Sequence, residues 1–177
     1  RYDGKAVTCD DFVNAMADAS GVDLSQFQLW YSQAGTPILD VVESFDKESG
    51  IYHVTIKQSH KPTANQTNKA NLHIPVKVEV LHDGNGSHGH LSQLLELKEK
   101  SQTWSFEGYN VKPTLAFLAD LSAPVKVDFD QADEELFKIM VNAVDEVCRW
   151  DAGQKLFFRY IKRLIEIPSF ELPHSII

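Results

Sequence analysis

Cysteine, positive charge and long apolar runs are all in short supply in this chain of 177 residues. Its two cysteines, Cys9 and Cys148, stand near opposite ends. Two thiols cannot build the multi-bridge framework of a small secreted scaffold. The pair reads as small, buried, free thiols in a reducing, cytoplasmic compartment. No run approaches the roughly 20 apolar residues that a membrane span needs. Lys and Arg number 17 against 25 Asp and Glu, for a net charge of −8. Without a concentrated basic face for phosphates, this balance argues against nucleic acid or an anionic membrane as partner.

Motifs of catalysis are missing too. The sequence contains no His-Glu-x-x-His, Cys-x-x-Cys or Gly-x-Ser-x-Gly, no phosphate-binding loop, and no Gly-x-Gly-x-x-Gly before a helix. No residue is therefore assigned a catalytic, cofactor-binding or metal-binding role. The acidic pairs Asp10-Asp11 and Glu134-Glu135 fall in first helical turns, where the helix dipole favours negative charge, and read as caps.

What is present is a chain that changes period twice. Thr8-Cys9-Asp10-Asp11 has the form of a capping box and opens a helix over about 10–19, which Gly21 ends. Asp23 precedes Leu24, Phe27, Trp30 and Tyr31, whose spacing predicts a second amphipathic helix closing near Gln33. From Pro37 the period shortens to two. Strands are expected over 38–45, 51–58, 72–82, 92–97, 102–107, 115–121 and 125–129, with a polar loop over 59–71. The stretch Leu72–Leu81 looks central, with Val76, Val78 and Val80 on one face and Lys77 and Glu79 on the other. Pro75, which has no N–H to donate, should mark an edge, a bulge or the strand's start.

Helical spacing returns after Asp130. Leu136, Phe137, Met140, Val141 and Val144 form one face. A second helix follows from about Glu146 or Arg149 to Ile165, with Arg159, Lys162 and Arg163 outward, stopped by Pro168. Such a pair cannot by itself bury its second face. The aromatic residues Phe12, Phe27, Trp30, Tyr31, Phe137, Trp150 and Phe157 read as helix-face core. The fold class is mainly β: an antiparallel, immunoglobulin-like sandwich of about seven strands, flanked by short helical segments at both ends. The period changes divide it into 1–36, 37–130 and 131–177. With neither an initiator Met nor a signal pattern at Arg1, and an apolar close on Ser175-Ile176-Ile177, the chain is expected to be an excised piece of a longer polypeptide.

Histidines offer one alternative. His82, His88 and His90 flank a glycine-rich stretch, and a His-x-His pair with a third imidazole across a tight turn could hold zinc or nickel. The competing reading is a solvated hairpin loop. His53 and His73, among alternating neighbours, are expected to face outward.

The opening Arg1-Tyr2-Asp3-Gly4-Lys5-Ala6-Val7-Thr8-Cys9-Asp10-Asp11-Phe12-Val13, with Trp30-Tyr31-Ser32-Gln33-Ala34-Gly35-Thr36-Pro37, resembles the segment closing the catalytic domain of bacterial aminopeptidase N. That family is a gluzincin-type group of zinc metallopeptidases. Leu72-His73-Ile74-Pro75, Phe106-Glu107-Gly108, Leu121-Ser122-Ala123-Pro124-Val125-Lys126-Val127 and Arg149-Trp150-Asp151-Ala152-Gly153-Gln154 continue the resemblance in order.

The resemblance implies a β-sandwich between a thermolysin-like catalytic domain and a C-terminal helical domain, which would be this segment's partners. It implies zinc and peptide substrates for the parent. The family's His-Glu-x-x-His helix, downstream Glu ligand and Gly-x-Met-Glu-Asn stretch are not in this sequence, so no zinc ligand is carried over. The expectation is a non-catalytic linker. A free-standing binding module and a small His-loop metal protein are the alternatives.

Overall fold

The computed structural model describes residues 2–84, 87–167 and 169–173, with 83, 84, 87 and 88 as backbone only. In chain order the elements are α1 (Cys9–Ser20), α2 (Leu29–Ser32), β1 (Ile38–Asp46), β2 (Ile51–Ser59), β3 (Ile74–Gly84), β4 (Ser87–Leu97), β5 (Ser101–Phe106) and β6 (Thr114–Phe117). A 3₁₀ turn (Ala119–Leu121), β7 (Lys126–Asp128), α3 (Asp133–Asn142) and α4 (Glu146–Glu166) complete it.

Among the described residues seven strands form two sheets, ordered β5-β2-β1-β7 and β4-β3-β6. The sheets face each other across Leu39, Val41, Tyr52, Val54 and Ile56 on one side and Ile74, Val76, Val78, Val80 and Leu95 on the other, all buried. Period-2 alternation on β2 and β3 produces this directly, since every second side chain points into the gap. All strand pairs are antiparallel except β1 and β7, which run parallel from Ile38–Lys126 to Asp40–Asp128. The backbone N–H of Lys126 donates to the carbonyl of Pro37 at 2.9 Å. At this one pair the expectation of antiparallel pairing is corrected.

The architecture has a third layer that the alternation of β3 conceals. Leu81 of β3 and Ala116 of β6 point away from the sandwich core, into a second cluster with Leu136, Ile139, Leu156 and Tyr160 of α3 and α4. Glu79 lies on that covered face and is only 4 % exposed. Strands β3 and β6 are therefore covered on both sides, and Glu79 is an interior residue rather than half of a polar face.

Several boundaries move for physical reasons. The helix expected from Asp23 shrinks to Leu29–Ser32. The turns before it close mostly over three residues, as in Trp30 N–H to Phe27 O at 3.1 Å and Tyr31 N–H to Gln28 O at 3.0 Å. Strand β6 stops at Phe117 because Leu118, Asp120 and Leu121 turn left-handed, with φ of 63°, 57° and 50°. Such backbone costs about 1–3 kcal/mol per residue and persists only where tertiary contacts impose it. Here Lys77 pairs with Asp120, and the Lys77 N–H donates to Ser122 Oγ at 2.9 Å. These contacts occupy the edge of β3 beyond β6, and Pro75 duly stands near the start of its strand.

In the β1–β2 hairpin, Gly50 takes φ +69°, and a Cβ there would lie 2.8 Å from the carbonyl of Tyr109. Only glycine fits that position.

Candidate docking faces and the histidine hairpin

The N-terminal segment is fastened to the sandwich by side-chain amides. Gln26 Nε2 donates to the carbonyls of Lys98 at 2.7 Å and Asn71 at 3.1 Å, and Trp30 Nε1 to that of His73 at 2.8 Å. Gln33 donates to Ala70 O at 3.1 Å and accepts from Ala70 N at 2.9 Å. Gln66 answers from the long loop, donating to Ser32 O and accepting from Ala34 N, both at 2.7 Å. Each pair satisfies backbone groups that a loop would otherwise leave open. The polar run 59–71 is in this sense a latch for α2. No sequence pattern announces such tertiary partners.

Two further latches hold the helices. Glu79 accepts the backbone N–H of Val144 at 2.9 Å and of Asp145 at 3.1 Å, at the entrance of α4. Asp145 is the N-cap, accepting Cys148 N–H at 2.7 Å and also Asp120 N–H at 3.0 Å. Burial raises the Asp145 carboxyl, but these backbone donors outweigh it and hold the group below its usual range.

Elsewhere Lys112 bridges Glu43 of β1 and Glu135 of α3, the latter at 2.7 Å, while the Tyr52 hydroxyl donates to Glu43. Glu135 also accepts the Ala132 N–H at 2.9 Å and so caps α3. Arg159 and Arg163, expected outward, instead grip Asp133 at 3.1 and 2.5 Å. Lys162 keeps a solvated position, 3.8 Å from Glu166.

Four of the seven aromatics read as core are on the surface: Phe12, Tyr31, Trp150 and Phe157. Phe27, Trp30 and Phe137 pack inward as expected. On α1, Phe12 and Met16 stand exposed beside buried Val13. Helix α4 is apolar on two sides. Cys148, Ala152, Leu156 and Tyr160 pack on the sheet, while Trp150 (64 % exposed), Phe158 (69 %), Ile161 and Ile165 face outward. An apolar groove of about 300 Å³ adjoins Trp150, lined by Leu118, Leu121, Val125 and Phe129. The period gave a correct apolar spacing here, but spacing cannot say which stripe finds its partner within the chain.

The described residues on either side of 85–86 are strand, with β3 running to Gly84 and β4 beginning at Ser87, earlier than the expected Ser92. The ladder sets His82 opposite Gly89 and His90 opposite Leu81. Alternation then sends the two imidazoles to opposite faces of the hairpin. His82 packs edge-on against Tyr109 at 5.5 Å. The side chain of His88 lies outside the described residues, as do Asn85, Gly86 and Pro168.

His73 is buried, not outward, 3.0 Å from Glu96 and edge-on to Phe27. His53 Nδ1 meets Ser105 Oγ at 2.8 Å, and His60 Nε2 lies 3.2 Å from Gln58 Oε1. Among the described residues no three His, Cys, Asp or Glu converge as a metal would need. Among the described side chains, His53, His60 and His73 are engaged with Ser105, Gln58 and Glu96, and His82 with Tyr109. Of the thiols, Cys148 is buried, which pushes it well above its ordinary range, whereas Cys9 is exposed, contrary to its reading as core.

Two facing sheets with these strands define the class, an immunoglobulin-like sandwich carrying a helical layer. The chain belongs to the family described as "Domain of unknown function (DUF3458) Ig-like fold", whose model matches residues 35–130. It is 45 % identical over 168 residues to aminopeptidase N of Haemophilus influenzae, an alignment covering 91 % of this chain and 19 % of that protein. Against aminopeptidase N of Escherichia coli it is 43 % identical over 169 residues, covering 92 % and 19 %. Among solved structures, that of Legionella pneumophila aminopeptidase A in complex with aspartic acid superposes with a TM-score of 0.82 at 25 % identity, over 98 % of this chain and 19 % of that one. The chain thus spans about a fifth of the length of the curated relatives it matches.

Proposed function

We propose that this chain is the non-catalytic sandwich segment of a zinc-dependent aminopeptidase that removes N-terminal residues from peptides in the cytoplasm. Residues 1–36 are then the tail of the catalytic domain, 37–130 the sandwich, and 131–177 the first helices of the C-terminal helical domain. The observation that carries this reading is the reach of the likeness. Identity of 45 % extends over 168 residues, well beyond the 35–130 matched by the sandwich family alone. Both flanking segments thereby share the ancestry of an aminopeptidase, and both leave aromatic side chains uncovered, as surfaces that meet other domains would.

Zinc, which supplies Lewis-acid activation of water in such a peptidase when bound, sits outside this segment in the proposal, because the sequence has no His-Glu-x-x-His and no three His, Cys, Asp or Glu converge among the described residues. What this chain contributes is position. Its amide clips hold one neighbour's tail, and its Glu79, Asp145 and Lys112 contacts hold the other's first helices, at a fixed separation set by rigid sheets.

The test uses an alanine p-nitroanilide substrate. The 177-residue chain with added zinc is expected to release no product above a mock preparation, and turnover would overturn the proposal. The full-length enzyme carrying Glu79→Ala is expected to keep stoichiometric zinc while losing activity through a displaced helical domain. Loss of zinc with the domain arrangement intact would equally contradict it.

A further inference from the structure

Alternation reverses at the end of strand β6. Leu115 and Phe117 pack into the sandwich core and Ala116 into the helical one, so Leu118 is due on the helical side and Ala119 between the sheets. Both are found opposite: Leu118 lies against the sandwich core, and Ala119 is wholly buried in the helical cluster. Left-handed backbone at Leu118, Asp120 and Leu121 makes this exchange, and none of the three is the glycine that such angles favour.

The turn is gripped from both layers. Within it, the Leu121 N–H donates to Leu118 O at 3.1 Å. From β3, Lys77 pairs through its ammonium with Asp120 and donates its backbone N–H to Ser122 Oγ at 2.9 Å. From α4, the N-cap Asp145 accepts the Asp120 N–H at 3.0 Å, while Cys148 Sγ donates to Phe117 O at 3.6 Å. The second set of contacts exists only while the helical layer is seated.

We infer that residues 118–121 are a two-state latch, left-handed while α4 is docked and straightened into β6 when α4 leaves. Continuing the β3–β6 register past Val78–Phe117 sets Leu118 opposite Lys77 and Ala119 opposite Val76. The Lys77 N–H already points to that side, so it passes from Ser122 Oγ to the Leu118 carbonyl, and the Leu118 N–H donates in return. The next such pair would set Asp120 opposite Pro75, which has no N–H, and the extension ends there. Straightening turns the Leu118 side chain into the cluster that Ala119 shares with Cys148 and Ala152 of α4. A leucine in place of a methyl there is incompatible with docked helices, so the two states exclude each other. Seating of the helices is thereby coupled to pairing along the edge of β3. This inference does not depend on the proposed aminopeptidase role.

Leu121 is 69 % exposed, so replacing it changes backbone preference with little loss of packing. In native-state hydrogen exchange of the 177-residue chain, Leu121→Gly should slow the α4 amides about fivefold and Leu121→Val should quicken them about fivefold, with those of β2 unchanged. Leu156→Asp, which puts a carboxylate in the helical core, should unseat α4. The carbon chemical shifts of Leu118 and Ala119 should then move to strand values, and the Leu118 amide should gain protection. The proposal is overturned if Leu118 stays left-handed or takes random-coil shifts once α4 is displaced, or if the sandwich unfolds together with the helices. It is equally overturned if the glycine and valine variants move α4 exchange in the same direction or not at all, a result that does not depend on how Leu156→Asp behaves.

Discussion

Glu79 concentrates the physics of this molecule in one side chain. Its oxygens accept the N–H groups of Val144 and Asp145 in the turn leading into α4, so a strand residue fixes the position of the helix's own cap, Asp145. Glu79→Ala strands both donors in a site that is almost fully buried, and should cost about 2–3 kcal/mol in urea unfolding. Glu79→Gln keeps one acceptor and should cost less than half as much. Equal losses for the two variants would mean that packing, not acceptance, is what the residue supplies. Trp150 is the converse case. Replacing it with Lys should leave the unfolding free energy within about 0.5 kcal/mol and reduce binding of a hydrophobic dye, because the ring is already in water.

At the scale of elements, the attachment of α3 and α4 is electrostatic as well as apolar, and its pH dependence has a definite sign. For Asp133, burial raises the carboxyl, but the hydrogen bonds from Arg163 and Arg159 outweigh it. For Glu135, burial is again outweighed, by Lys112 and the Ala132 N–H. Both groups, with Asp145, sit below their ordinary values of 3.8 for Asp and 4.5 for Glu. The unfolded chain therefore binds protons first. The stabilisation is complete above those ordinary values and is lost as pH falls through the depressed ones. Acid titration should release the helical signal at 222 nm before the sheet signal. Simultaneous loss would show that the latches do not govern the layer.

The same elements mark how far sequence carries. Strands β2 and β3 were legible because Tyr52, Val54 and Ile56, and Val76, Val78 and Val80, alternate with polar residues, and β1 because it is rich in β-branched side chains. The short α2 was not, since its apolar spacing fits a full helix, and only contacts with Lys98, Asn71 and His73 favour the tighter turns. Glu79 and His73 read as surface because polarity was the sole guide, and their partners lie far along the chain. Of the candidate site, the absence of catalytic motifs was plain in the residues, whereas the uncovered side of α4 needed the structure to reveal which stripe is buried.

In the whole molecule, the middle sheet serves two cores at once. Val78 is wholly buried between the sheets, and Val78→Asp should abolish cooperative folding of the chain by burying an unpaired charge. Leu156→Ala, in the helical core, should cost about 2–4 kcal/mol yet leave the sandwich folded, as judged by tryptophan emission from Trp30 and Trp104.

The parallel pairing of β1 with β7 has a mechanical consequence. Residues 38–40 and 126–128 are zipped side by side, so everything from 41 to 125 is a closed excursion from a single seam. Tension between the two flanks would pull the strands in opposite directions along their length, loading their hydrogen bonds in shear rather than peeling them one by one. In a force-spectroscopy measurement with handles at Pro37 and Phe129, inside the amide latches of Ser32–Ala34 and the ion pairs of Asp133, the seam should yield in one step, and a gradual loss of force would contradict shear loading. The seam is thereby a fuse for the sandwich, yielding before the core between the sheets is strained.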